Sequence, residues 1–220
     1  MEKKYLQYKD YRTSILDILF PTKNQLKPQM GFDESNQWTK YELNEIASIP
    51  SKEKVKSTDG KQLLTVKLHC KGIEVNEDII PKITKSGRPY FERLENEILI
   101  GRQNIHNGDI GIVNSKLNGG ICSNAITSLK INESNSTDFV YYYLSRFTYY
   151  KRIERFMHGT GQKELSEKEL MKLKINLPDY QEQKRISSFI KTVDSNIHNL
   201  NKEIILTKEF KKSLLNKMFC

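Results

Sequence analysis

The 220-residue chain lacks the features that mark membrane, secreted or zinc-binding proteins. It has no apolar run near the ~18 residues that a transmembrane helix needs, and its Lys-rich start lacks the hydrophobic segment of a signal peptide. Its three cysteines, Cys70, Cys122 and Cys220, are widely spaced and form no CxxC pair, so neither a disulfide framework nor a zinc ribbon is supported. We therefore expect a cytosolic protein with reduced thiols.

Sequence signatures of catalysis are also scarce. The four histidines show no HxxxH or HExxH spacing. The loop Gly159–Lys163 lacks the spacing of a phosphate-binding loop, and no hydrophobic strand leads into it. Pro178-Asp179 with Glu182-Gln183-Lys184 superficially matches a metal-dependent nuclease motif, but both halves lie at one helix start, where capping explains the same residues. We predict no catalytic residue and no metal site in this chain.

The charge balance points to a polyanionic partner. The chain has 36 Lys and Arg against 27 Asp and Glu, a net charge of +9. In its Gly-rich middle, loop residues could contact DNA, since Arg binds guanine edges, Asn and Gln bind adenine edges, and Lys binds phosphates. The same residue types are common in ordinary turns, which is the alternative at each position. The predicted DNA-contacting residues are Lys85, Arg88, Tyr90, Arg102, Gln103, Asn104, Lys116, Asn118 and Lys163.

The strongest periodic pattern begins after Pro178. Apolar residues recur there in alternating steps of four and three, which is typical of a long helix that pairs with another helix along a narrow stripe. Asp179 and Glu182 can cap its first free amides, and a helix reaching about Lys217 would be on the order of 50 Å long. The residues predicted to form a dimer or coiled-coil contact are Ile186, Ile190, Val193, Ile197, Leu200 and Ile204.

The remaining pattern predicts an α+β fold: one globular mixed-sheet domain followed by a long coiled-coil helix, with a short helix at the N-terminus. We predict a helix in residues 1–22, a connector in 23–37, the globular domain in 38–178 and the long helix in 179–220. Within the domain, short strands are expected at 63–68, 97–100, 109–113 and 125–131, and a helix between 138 and 157.

The two ends of the chain resemble each other. Tyr11–Phe20 aligns with Phe210–Phe219 over ten positions without a gap. A chance match between two amphipathic helices is one explanation. The other is that the chain begins with the tail of one module and ends with the tail of the next.

Several motifs resemble those of type I restriction-modification specificity subunits. The loop Gly159-Thr-Gly-Gln162, the helix start Leu177-Pro178-Asp-Tyr-Gln-Glu182-Gln183 and the step Asp194-Ser-Asn-Ile197 are similar to the segment that closes a target-recognition domain in that family. Gln37-Trp38-Thr-Lys-Tyr-Glu-Leu43-Asn-Glu-Ile46 is similar to the family's W-x-x-x-x-L-x-x-I domain start. Glu97-Ile-Leu-Ile-Gly-Arg102 is similar to one of its strands, with Glu in place of the usual Asp. The resemblance covers roughly residues 37–217.

This resemblance implies a non-catalytic DNA-recognition subunit. Its recognition domain would dock in the major groove, while its helices would fix the separation of two half-sites. The helices would also carry methyltransferase subunits, which bind S-adenosylmethionine, and restriction motor subunits, which use ATP and magnesium; this chain itself would hold no cofactor. Family members usually have two recognition domains and two antiparallel helices, so the second half would be another copy or an N-terminal half. The alternative function is a stand-alone coiled-coil dimeric DNA-binding regulator.

Overall fold

Two helices flank a β-rich domain. In the computed structural model, α1 (Glu2–Leu19) precedes the domain and α6 (Tyr180–Phe219) follows it. The two helices run antiparallel, because Lys208 on the distal part of α6 forms an ion pair with Glu2, whereas Asp194, nearer the domain, binds Arg12. The structure describes residues 2–22, 25, 27–33, 37–50, 53–84, 87–157 and 163–219.

A four-stranded antiparallel sheet forms the centre of the domain. Its strand order is β2 (Ala47–Ser48), β9 (Ile126–Ile131), β6 (Ile98–Gly101) and β7 (Ile110–Ile112). In β6, Ile98, Leu99 and Ile100 are all fully buried, because both faces of the sheet are covered. Ile98 and Ile100 face a large core that the helices share, and Leu99 faces a smaller second core with Leu64 and Val113.

Three antiparallel strand pairs complete the domain. β1 (Thr39–Glu42) pairs with β10 (Lys174–Leu177), and this pair joins the two ends of the domain. β3 (Leu64–Val66) pairs with β4 (Ile73–Val75). β5 (Tyr90–Arg93) pairs with β8 (Gly120–Ser123). The predicted α+β fold is confirmed, with strands in all four expected segments. The other strands are two to four residues long, too short for a periodic pattern to reveal.

The prediction of one helix between residues 138 and 157 is wrong in one respect: the segment forms three shorter helices. α3 (Thr137–Leu144), α4 (Phe147–Tyr150) and a 3-10 helix (Lys151–Phe156) occupy this segment. At the break, the Ser145 hydroxyl donates to the Tyr142 carbonyl and Arg146 Nε donates to the Tyr143 carbonyl, and such side-chain bonds compete with the helical backbone pattern. Helical turns α2 (Leu43–Ile46) and α5 (Glu167–Met171) follow β1 and precede β10.

The start of α6 holds the domain to the helix through buried polar contacts. Asp179 Oδ1 accepts the Glu182 N–H at 2.9 Å, as the predicted cap requires. Glu182 was also predicted to cap the helix, but its Oε1 accepts the Phe32 N–H at 2.7 Å. Gln183 Oε1 accepts the Ser136 N–H at 2.8 Å. The connector, α3 and α6 are therefore fixed to one another at this point.

The apolar stripe of α6 is covered by the chain itself. Ile186 and Ile190 are fully buried in the large core and Val193 is nearly so, while Ile197 is partly buried against it. Leu200 is half-buried and Ile204 buried on the distal part of the helix that pairs with α1. α1 and α3 of the same chain supply helix partners for this stripe. Pairing of the stripe with a second molecule stays a prediction. Beyond Lys208 the apolar residues are exposed: Phe210, Leu214, Leu215 and Met218.

Two isoleucines on α6 test this packing. Ile190 is 0% exposed and Ile205 is 48% exposed. Ile190→Ala is expected to lower the free energy of unfolding by about 2–5 kcal/mol because it leaves a cavity in the core. Ile205→Ala, the matched control, should stay within about 0.5 kcal/mol of the unsubstituted chain. Urea unfolding followed by circular dichroism measures both; equal effects would contradict the packing described above.

Candidate nucleic-acid interface

The predicted DNA-contacting residues form two groups at opposite ends of the β5–β8 pair. Tyr90 pairs with Ser123 at one end, and Arg93 pairs with Gly120 at the other. Lys116 and Asn118 lie just before β8 and therefore belong to the Gly120 end. The prediction for Lys85 concerns a residue outside the described part of the chain.

The first group gathers around the turn between β8 and β9. Arg102 donates from Nη2 to the carbonyl oxygen of Asn124, the residue that follows Ser123, at 3.2 Å. The Leu165 N–H donates to the Arg102 carbonyl at 3.2 Å, which brings the loop of Lys163 to the same place. Gln103 and Asn104 follow directly and are half-buried. The fold thus brings together predicted residues that are distant in sequence.

Arg102 contributes to the structure of this group. Its guanidinium lies 2.6 Å from a Glu164 oxygen and 3.6 Å from a Glu167 oxygen, and its side chain is 18% exposed. The structure therefore gives Arg102 a stabilising contact between the end of β6 and α5, and base reading by this residue stays a prediction. Lys163 is exposed and pairs with Glu154 at 3.1 Å.

The second group is built on ordinary turn contacts. The Asn114 side chain accepts the Lys116 N–H at 3.0 Å, and Asn118 Oδ1 accepts the Glu95 N–H at 2.8 Å. The Lys116 side chain is exposed. Arg88 lies at the other end of the strand pair, because it precedes Tyr90, which pairs with Ser123; it is exposed, and no ion pair joins it to a described residue. Among the predicted residues that the structure describes, the exposed cations without an ion pair are thus Arg88 and Lys116.

Sequence reasoning missed a basic groove beside the first group. A cavity of about 680 Å³ lies where β1, β10 and the 3-10 helix 151–156 meet, and its lining includes Lys40, Arg152 and Arg155. In the single helix predicted between residues 138 and 157, nothing distinguishes these arginines from solvated surface residues. The signal that was available is the alternation of aromatic and arginine residues from Tyr142 to Arg155.

A partly buried carboxyl group, that of Asp109, lies behind the first group. A Cβ at Gly101 would be 1.9 Å from Asp109 Oδ2, so the glycine at the end of β6 leaves space for this carboxyl. Burial raises the pKa of Asp109 to about 6. Its Oδ1 has no hydrogen-bond partner among the described residues.

Two searches of the described ranges gave negative findings. No group of three or more His, Cys, Asp or Glu side chains there could hold a metal ion. No described helix is long and apolar enough to cross a membrane.

The fold defines a class of proteins in which a β-rich domain with basic loops is mounted on antiparallel helices. Residues 35–207 match the family described as the type I restriction modification DNA specificity domain. The chain belongs to this family, whose members supply DNA sequence specificity in restriction-modification systems.

Individual relatives agree with this assignment. The putative type I restriction enzyme MjaX specificity subunit of Methanocaldococcus jannaschii is 26% identical over 145 residues, which cover 65% of this chain and 32% of that protein. The HsdS subunit from Thermoanaerobacter tengcongensis has the same fold at 16% identity, with a TM-score of 0.60 over 99% of this chain and 52% of that one. The S subunit from M. genitalium gives 17% identity and a TM-score of 0.55, over 99% and 55%. The chain thus spans about half the length of these solved structures and a third of the MjaX subunit.

Asp109 makes stability depend on pH. Its pKa in the folded chain lies above the ordinary aspartate value, so the stability present at low pH is lost as pH rises through about 6. Asp109→Asn, which stays neutral, is expected to raise the melting temperature by several degrees at pH 8 and far less at pH 4. Asp78→Asn, at an exposed loop position, is the matched control. Differential scanning calorimetry measures the melting temperatures of both variants. An equal gain for Asp109→Asn at pH 4 and pH 8 would contradict a stability effect of Asp109 ionisation.

Proposed function

We propose that this chain reads one half of a split DNA target and positions the enzymes that act on it. It makes no chemical change itself. The observation that carries this proposal is the arrangement of the domain: exposed basic loops on a β-rich body, held at a defined place on a helix of 40 residues. At 1.5 Å per residue this helix is roughly 60 Å long, enough to separate two recognition domains along a duplex.

The two similar ends of the chain support a second recognition domain. In α1, Leu16 and Leu19 are buried against the base of the domain, at 5% and 3% exposure. Their counterparts in the C-terminal segment, Leu215 and Met218, are 44% and 68% exposed. Equivalent apolar positions thus lie beneath the domain at one end and uncovered at the other. A second recognition domain, from another copy of the chain or from an N-terminal half, would cover them.

The partners follow from the same assignment. Double-stranded DNA binds the recognition domain, and methyltransferase and restriction subunits bind the helices. The methyltransferase subunits would hold S-adenosylmethionine, and the restriction subunits would use ATP and magnesium, so this chain needs no cofactor of its own. Sequencing methylated sites in cells with and without the gene would identify the target. Co-purification of methyltransferase subunits would separate this function from that of a stand-alone regulator.

Arg88 tests DNA reading by the domain. Arg88→Glu is expected to weaken binding to the target duplex at least tenfold, because it places a carboxylate against DNA while leaving the fold intact. Lys130→Glu makes the same charge reversal at an exposed position of β9 and is the control. Fluorescence anisotropy measures both affinities. If Arg88→Glu binds as tightly as the unsubstituted chain, its loop lies outside the interface.

Leu214 tests the second recognition domain. Leu214→Asp places a charge on the uncovered apolar surface and is expected to prevent association with the second half, since a desolvated charge is costly. Asn216→Asp adds the same charge two residues away on an already polar position. Light scattering of the chain alone, and after mixing with an N-terminal half, gives the mass of each complex. A second half that binds both variants equally would contradict the proposal.

A further inference from the structure

The basic groove has more positive charge than the chain itself neutralises. Two acidic residues line it, Glu42 and Glu169, and each already has a lysine partner. Lys174 lies 3.6 Å from Glu42, and Lys172 lies 3.0 Å from Glu169. Lys40, Arg152 and Arg155 also line the groove, and the structure gives them no ion pair with any described residue.

A fourth cation lies directly behind the groove wall. Arg146 is 2% exposed, and its guanidinium donates to the carbonyls of Tyr143 and Pro21. Its Nη2 has no partner among the described residues. The rings of Tyr143 and Tyr149 contact this guanidinium and also line the groove, as Pro21 does. The buried guanidinium therefore lies next to the part of the groove wall that these neutral residues form.

A buried cation without a counter-ion is costly. Burial lowers the pKa of Arg146, since the charged form is removed from water. An anion in the groove would offset this cost, because it would lie close to Arg146 and to the unpaired Arg152 and Arg155. The groove is thus electrostatically complementary to an anion that the chain does not supply.

The position of the groove indicates where that anion comes from. The 3-10 helix that carries Arg152 and Arg155 packs against the 3-10 helix Ile105–Asn107, and Lys151 Nζ donates to Asn107 Oδ1 at 3.1 Å. Asn107 closely follows the predicted DNA-contacting residues 102–104. A duplex lying on the first group would therefore present its backbone to the groove.

We propose that the groove binds a backbone phosphate of the DNA duplex, beside the bases that the domain reads. This inference rests on the proposed function and deepens it. Lys40, Arg152 and Arg155 contact the phosphate oxygens, and Arg146 stabilises the bound anion from behind. The apolar part of the groove lining, including Ile153 and Phe156, packs against the sugar. A phosphate contact of this kind sets affinity and register and carries no sequence information.

The test compares charge removal in the groove with charge removal elsewhere. The double variant Arg152→Ala/Arg155→Ala should weaken binding about tenfold, equally for target and non-target duplexes. Removing both arginines should also lower the slope of log affinity against log salt by about 0.9, the value for one lost phosphate contact. Lys40→Ala, on a different strand, should lower the slope in the same direction by at most about 0.9. Lys211→Ala/Lys212→Ala removes the same charge on the distal part of α6 and is the control.

The outcomes separate the groove from the function of the chain. If the unsubstituted chain, alone and with methyltransferase subunits, does not distinguish target from non-target duplexes, the proposed function fails. If it distinguishes them and the groove variants keep its affinity and salt slope, only the phosphate site is overturned. Unchanged duplex binding with loss of methyltransferase co-purification would assign the groove to an acidic protein surface. Unchanged duplex binding with loss of thermal stabilisation by inorganic phosphate or AMP would assign it to a free phosphate compound. Both of these results overturn the DNA assignment.

Discussion

The buried polar contacts at the start of α6 determine how the recognition domain is held. Glu182 and Gln183 are 1% exposed, and each accepts a backbone N–H from a different segment. Leaving a buried donor without a partner costs about 1–3 kcal/mol, so both contacts resist loss. Because backbone positions of the connector and of the start of α3 are fixed to one helical turn, the orientation of the domain relative to α6 follows from these buried contacts.

Asp194, further along α6, makes a second set of polar contacts that holds the domain to this helix. Asp194 binds Arg12 of α1 and accepts a hydrogen bond from the Tyr142 hydroxyl at 3.1 Å. One carboxylate thus links α6 to α1 and to α3. Glu182, Gln183 and Asp194, which belong to the motifs that resemble those of the family, therefore maintain the geometry between helix and domain. The exposed loops of the domain are mounted on this frame.

This division explains what could be predicted from the sequence. The long helix and the central strands give strong periodic patterns, and the motifs identify the family because they maintain its common frame. The partner of the α6 stripe was not predictable from periodicity, since a heptad pattern does not distinguish α1 of the same chain from a second molecule. The burial of Arg146 was not predictable, since helical spacing ignores the side-chain bonds that break the helix. The groove was missed because its cations come from β1 and from the 3-10 helix and meet only in the folded chain.

The two cores of the domain have different roles. The large core joins the sheet to the helices, whereas the small core, built from Leu64, Val66, Leu99, Val113, Leu117 and Cys122, supports the outer strand pairs. Since β6 alternates between the two cores, mutations that remodel the outer strands leave the attachment to α6 untouched. Substitutions can therefore accumulate in the outer strands and their loops while the packing of the domain on its helices is preserved.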